Sequence, residues 1–179
     1  MKNLNIIWVI VMACALNISP VFGQSRAKKN KIIADSQTAK AEFIAQDGLM
    51  KGLFDRAYGY VIFPNVGKGG LGVGAAAGNG AVYERGKVIG MAKMSQLSIG
   101  FQAGGQAYSE VIFFESKKEL DRFKDSRFEF AAQASAVAVT EGASANVKYT
   151  DGVMVFTMEK GGLMYEASIG GQKFKYKRL

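Results

Sequence analysis

Lys173, Lys175 and Lys177 alternate with Phe174 and Tyr176 near the C-terminus. In an extended strand successive side chains point to opposite faces, so the three ammonium groups would line one face and the two rings the other. A row of this kind attracts anions: beside an anionic membrane each basic residue contributes on the order of 1 kcal/mol. The same pattern also suits an edge strand guarded against aggregation by lysines. A second basic group, Arg26, Lys28, Lys29 and Lys31, leads into a segment with apolar residues at helical spacing. It fits either a membrane-facing element or a solvated terminus whose helix packs on a β-core. Lys68 and Lys160, each opening a Lys-Gly-Gly-Leu stretch, and Arg178 complete the set of candidate anion contacts.

Little else in the chain is equipped for chemistry. It contains 0 histidines, which removes Ser-His and Cys-His nucleophiles and the main ligands of ordinary zinc sites. Gly72-Val73-Gly74-Ala75-Ala76-Ala77 satisfies the GxGxxA spacing of a dinucleotide fingerprint. That motif works only where a helix N-terminus follows to receive the pyrophosphate, and Gly78-Asn79-Gly80 interrupts any such helix. Gly67-Lys68 is similar to the end of a Walker loop, but no Ser or Thr follows and Ile62 stands where the first glycine belongs. The acidic residues are scattered, and Glu119 and Glu129 are placed for helix capping. Neither catalysis nor a cofactor or metal is expected.

The elements that would position the basic residues follow from periodicity. Gln24 to Asp47 has neither Gly nor Pro, and Ile32, Ile33, Phe43 and Ile44 recur on one helical face. Leu49, Met50, Leu53 and Phe54 mark a second short helix. From Tyr58 the pattern turns to strands: Tyr58–Phe63 ending at Pro64-Asn65, Leu71–Ala77 and Ala81–Glu84 flanking Gly78-Asn79-Gly80, a turn at Arg85-Gly86-Lys87, then Val88–Gly100, Gln102–Tyr108 and Ser109–Glu115. Ser116-Lys117-Lys118-Glu119 and Ser126-Arg127-Phe128-Glu129 both have capping-box spacing, which predicts two inserted helices, the second running to about Val139. Val153–Met158, Leu163–Ile169 and Lys173–Lys177 close the chain as strands. Lys68 to Gly78 echoes Lys160 to Gly170 at a constant offset, either by accident of recurring turns or as two related hairpins.

Composition bounds the whole. At 179 residues, with 49% hydrophobic and 21% charged, one folded domain is expected. Lys2, the apolar run Ile6–Leu16 and Val21-Phe22-Gly23 read as an export signal over residues 1–23, leaving a single domain over 24–179. Lipidation at Cys14 is the alternative. Losing residues 1–23 removes Lys2 and no acid, so the formal charge falls from +8 to +7. Such a balance favours anionic partners, and export argues against nucleic acid.

From Leu53 to Tyr176 the order of features resembles the SYLF domain, a lipid-binding family. The stretches that carry the resemblance are Ala57-Tyr58-Gly59-Tyr60-Val61-Ile62-Phe63-Pro64, the glycine ladder Gly67–Gly80 followed by Val82-Tyr83-Glu84-Arg85, Ile99-Gly100-Phe101-Gln102-Ala103-Gly104-Gly105-Gln106, Glu110–Phe114 and Lys160-Gly161-Gly162-Leu163. The resemblance implies a compact α+β domain that binds acidic phospholipids, with phosphoinositides as ligands and actin as a partner for some eukaryotic relatives. An exported protein would meet phosphatidylglycerol, cardiolipin or lipopolysaccharide instead, and actin is not expected. Val88-Ile89-Gly90-Met91-Ala92-Lys93-Met94 stands where eukaryotic relatives tend to have a tryptophan-containing stretch.

The expectation is an α+β fold: an antiparallel β-rich sheet or barrel, an N-terminal amphipathic helical segment, and two helices inserted before the C-terminal strands. The expected function is non-catalytic binding of anionic phospholipid at a membrane surface of the cell envelope, periplasmic or secreted. An envelope interaction protein for an acidic protein or polysaccharide is the alternative, and a lipid carrier with an internal cavity is the third.

Overall fold

The computed structural model describes residues 21–71, 73–99, 105–126, 128–131, 134–160 and 166–179. Residues 1–20, with most of the expected signal and Cys14, lie outside these, as do Gly72 and most of the second Lys-Gly-Gly-Leu stretch. The chain divides into two units, Met1–Lys31 and Ile32–Leu179. The described part of the first is helical, forming the opening turns of α1 (Val21–Gln46).

In the second unit the rest of α1 is followed by α2 (Met50–Arg56), β1 (Gly59–Leu71), β2 (Val73–Glu84), β3 (Lys87–Ile99), β4 (Gly105–Phe114), α3 (Lys117–Lys124), β5 (Ser135–Ala138), β6 (Val153–Glu159), β7 (Glu166–Ser168) and β8 (Lys173–Arg178). The eight strands form one sheet in the order β7-β5-β6-β4-β1-β2-β3-β8. All pairings are antiparallel except β5 with β6. The protein is α+β, with the N-terminal helix anticipated from the sequence.

The two edge strands, β7 and β8, are consecutive in the chain and joined only by Ile169–Gln172. A flat eight-stranded sheet would hold its edges about 34 Å apart at ~4.8 Å per strand, whereas this link reaches about 17 Å at most. The sheet therefore curls into a barrel. Residues 128–131 and 134–138 bridge the seam: Glu129 pairs with Lys173 of β8, Phe130 O accepts from Gly171 N (3.2 Å), and Ala134 O accepts from Ile169 N (3.0 Å). From β3, Gln96 Nε2 donates to Ser168 O and Gly170 O, both at 3.0 Å.

Alternation along the strands sorts the core into two clusters. Val61, Phe63, Val82, Met94, Ile112, Phe114, Val155 and Phe174 face the barrel interior, where Leu120 and Phe123 of α3 join them. Tyr60, Ile62, Tyr83, Val111, Phe113 and Phe156 face outward beneath Ala39 and Phe43 of α1 and Met50 and Phe54 of α2. On α1 the buried residues Ser36, Ala39 and Phe43 recur three and four apart, which defines one face. Asp47, just beyond the helix, is buried too; its carboxylate accepts from Leu49 N (3.0 Å), Ser144 N (2.9 Å) and Ser144 Oγ (2.6 Å). Burial works to raise its pKa, but these bonds outweigh it and hold the group below the usual carboxylate range.

Several expectations are corrected. Ser116 does cap α3: its Oγ accepts from Lys118 N (3.2 Å) and donates to Glu119 Oε2 (2.5 Å). Ser126 starts no helix; it ends α3, with φ +57° and its N–H on Phe123 O (3.0 Å). Beyond it Phe128 and Phe130 are buried while Glu129 and Ala131 are exposed, a period of two that seats both rings on the interior cluster, and Ser135–Ala138 is strand rather than helix. The second inserted helix is thus replaced by the seam segment. Pro64-Asn65 is not a turn but a bulge within β1, where the register shifts between Ile62 and Asn65. Proline is tolerated there because the disrupted ladder needs no donor, and Pro64 O accepts from Ser109 Oγ (2.9 Å). Gly78-Asn79-Gly80 lies inside β2; a Cβ at Gly80 would sit 2.5 Å from Ile62 O, so glycine there permits close approach at the bulge. The turn at Arg85-Gly86 is as expected, both residues at positive φ.

One interior rung is polar. Glu110 is fully buried, and its Oε2 accepts from Gln172 Nε2 (2.9 Å) across the barrel. Burial pushes its pKa from 4.5 up to about 7, against the lowering effect of the Gln172 bond. Between these two values the folded state holds a proton that the unfolded chain releases, so stability falls as pH rises through this window. Urea unfolding of the protein is expected to lose at most about 3 kcal/mol between about pH 4.5 and pH 7.5, and Glu110→Gln to flatten that dependence. A wild-type stability that rises over the same range would contradict the assignment.

Candidate functional site

β8 is held from the inside by its aromatic side chains. The Phe174 ring lies 5.8 Å from Phe63, 5.1 Å from Phe123, 5.9 Å from Phe128 and 5.9 Å from Phe130, centroid to centroid. Tyr176 donates its hydroxyl to Ile89 O (2.9 Å) and covers Gly90, where a Cβ would stand 2.2 Å from the ring. With the rings inward, Lys173, Lys175 and Lys177 project outward and are exposed, as their alternation predicts.

Pairing with β3 adds a fourth charge. Lys175 lies opposite Lys93, Lys173 opposite Ser95 and Lys177 opposite Met91. Like charges on directly opposed positions are unfavourable for the sheet itself. Lys173 has a distant partner in Glu129 at 3.9 Å, an exposed pair of little energetic weight. Among the described residues no carboxylate lies within ion-pair distance of Lys93, Lys175 or Lys177. Farther along the outward face of β3 is Leu97, 78% exposed. It pairs with Ala75, and Ser95 with Ala77; Ser95, Ala75, Ala77 and Gly67 on β1 form an exposed area of small residues beside the lysines.

Four of the other candidates belong to the first unit. Arg26, Lys28 and Lys31 are exposed and Lys29 half-buried on the helical stretch of the first unit. Lys68 is half-buried and shares a rung with Ala76 and Gln106, on the sheet face opposite the lysine row. Lys160 is exposed just after β6, with its Nζ donating to Asn65 Oδ1 (2.9 Å), and β1 is separated from β8 by two strands. Arg178 is exposed but belongs to the alternate set with Phe174 and Tyr176. Sequence reasoning missed Lys93 and Leu97. Their alternation with Ala92, Met94 and Gln96 was visible, but the pairing of β3 with a strand about eighty residues away was not.

Residues 95–178 match the family described as Ysc84, Las17-binding protein actin regulator. Over these residues the chain is similar to this family, the SYLF domain. Its match covers the last part of β3, through the barrel seam, to β8. Beta cell expansion factor A from Aeromonas veronii, a SYLF protein, is 30% identical over 161 residues, covering 88% of this chain and 61% of the relative. The chain thus spans about three fifths of that relative's length. SYLF is a binding-domain family.

The two sides of β8 predict opposite responses to mutation. Phe174→Ala is expected to destabilise the fold by about 3–5 kcal/mol in urea unfolding. Lys175→Ser should leave stability within about 0.5 kcal/mol or raise it, because it relieves the repulsion with Lys93. A large loss from Lys175→Ser would mean that the lysine row serves the fold.

Proposed function

We propose that the outward face of β3 and β8 docks on anionic phospholipid surfaces, without catalysis. The observation that carries this reading is the coincidence of four outward lysines, Lys93, Lys173, Lys175 and Lys177, with the exposed Leu97 and an exposed border of small residues. The lysines supply attraction, on the order of 1 kcal/mol each beside an anionic leaflet, and Leu97 is the group that enters the interfacial region. The basic stretch Arg26–Lys31 is a second contact in this reading. With residues 1–23 read as an export signal, the surface is that of a cell envelope, and phosphatidylglycerol and cardiolipin are the proposed ligands. The family description speaks of an actin regulator, and actin is not proposed as a partner of an exported chain.

The test is cosedimentation with vesicles of phosphatidylcholine alone or with phosphatidylglycerol or cardiolipin, at low and high salt. Binding is expected only with the anionic lipids, to weaken as salt screens the lysines, and to fall by at least about tenfold in Lys93→Glu with Lys175→Glu. Binding indifferent to salt and headgroup charge would overturn the proposal. Failure to bind any vesicle would favour an acidic protein or polysaccharide of the envelope as the partner.

A further inference from the structure

The barrel has a weak seam. β5 and β6 run parallel, and the described pairing between them is limited to Val137 opposite Phe156 and Ala138 opposite Thr157, extended by Val139 N on Thr157 O (2.8 Å). Toward their N-terminal ends the two strands part around a cavity of about 390 Å³. Its apolar wall includes Phe128, Phe130, Ala134, Val153, Val155 and Ile169. Phe128, Phe130, Val153, Val155 and Ile169 also belong to the interior cluster, and Val137, Val147 and Met154 to the outer one, so the cavity borders both along the seam. All five interior-cluster residues of the wall are buried, from 1% accessible at Ile169 to 8% at Phe130 and Val153.

Charged groups stand at the rim. Arg122, Lys148, Glu129 and Asp151 line it, with the Arg122 guanidinium over the Phe128 ring at 5.7 Å. Glu129 is also the residue that meets Lys173, both as a bridge partner and as an ion pair at 3.9 Å. The mouth of the cavity therefore adjoins the end of the lysine row.

We infer that this seam takes one acyl chain of an anionic lipid whose headgroup rests on the lysine edge. The inference builds on the lipid-surface reading and adds a second, enclosed contact to it. Two features select the occupant. The wall is aromatic and aliphatic, which suits a hydrocarbon chain, and the adjoining edge carries a row of lysines, which suits an anionic head. The volume lies near the lower end of the ~300–1,000 Å³ of small-molecule pockets, which favours one chain over a whole two-chain lipid. Opening such a site requires only that the short parallel β5–β6 contact part further, since β6 remains paired with β4 along its length.

The probe is stearate carrying a spin label near its methyl end, at concentrations below micelle formation, with the protein's methyl groups followed by NMR. Seated as inferred, the label should broaden Val153, Val155 and Ile169 at stoichiometric addition while leaving Val82 in the wall between β1 and β3 sharp. Unlabelled stearate should reverse the effect. Uniform or absent broadening of these methyls would overturn the inference, and would leave vesicle binding untouched. Ala134→Trp, which places a ring in the cavity, is expected to weaken stearate binding by at least about tenfold while keeping cosedimentation with phosphatidylglycerol vesicles. If that variant does not fold, the broadening pattern of the wild-type protein decides. Stearate seated in a protein that ignores vesicles would support the cavity and overturn the surface reading. The cavity's contact could come from a free fatty acid or from a membrane lipid. Broadening by spin-labelled phosphatidylglycerol in vesicles, at the same methyls, identifies the membrane as the source.

Discussion

Phe174 is surrounded by Phe63 from β1, Phe123 from α3, and Phe128 and Phe130 from the seam segment, so one ring ties the last strand to three separate parts of the chain. The constraint is sharpened by connectivity: β8 must return across the open side of the sheet within four residues of β7. Curling, closure and the burial of this ring are thus one event. An eight-stranded sheet with a free C-terminal strand would leave Phe174 and Tyr176 in water, and hydrophobic burial of large rings is among the stronger terms available to a domain of this size. Once Phe174 is inside, the pleat dictates the opposite orientation for Lys173 and Lys175. The outward lysine row is a geometric consequence of how the core is sealed.

Parts of this were legible because they depend on local periodicity. The alternation of lysine and aromatic residues from 173 to 177 gave the two faces of β8, and the absence of Gly and Pro from 24 to 47 marked α1. Ser116 and Ser126 show where local reasoning ends. Both begin the same S-x-x-E pattern, yet only Ser116 caps a helix, because Phe128 and Phe130 gain more by facing the Phe123–Phe174 cluster in extended form than a helix would gain from its cap. Pro64-Asn65 and Gly78-Asn79-Gly80 carry turn residues for a different purpose, a bulge and a close backbone contact between β1 and β2. Lys93 and Leu97 entered the site only through strand pairing, which no single stretch of residues encodes.

The energetics also separate fold from function. The interior cluster and the outer cluster beneath α1 and α2 account for the architecture, and neither needs the outward lysines. Lys93 opposite Lys175 works against the sheet, and such a feature persists where something other than stability favours it. The seam between β5 and β6 has the same character: a short parallel contact beside a cavity lined in part by residues of the interior cluster. An edge of positive charge runs along β8, with an exposed border of small residues on its β3 side and a cavity lined in part by interior-cluster residues on its Glu129 side, an arrangement suited to a partner with a charged surface and an oily interior.

The most direct test asks which face meets the membrane. With Cys14 as the single cysteine of the chain, a Cys14→Ser background allows an environment-sensitive fluorophore to be placed at Leu97→Cys, or at Glu141→Cys in the loop beyond β5. Docking through β3 and β8 predicts a blue shift and protection from aqueous quencher at position 97, and none at position 141, when phosphatidylglycerol vesicles are added. The reverse pattern, or equal responses at both positions, would contradict a membrane contact at this face.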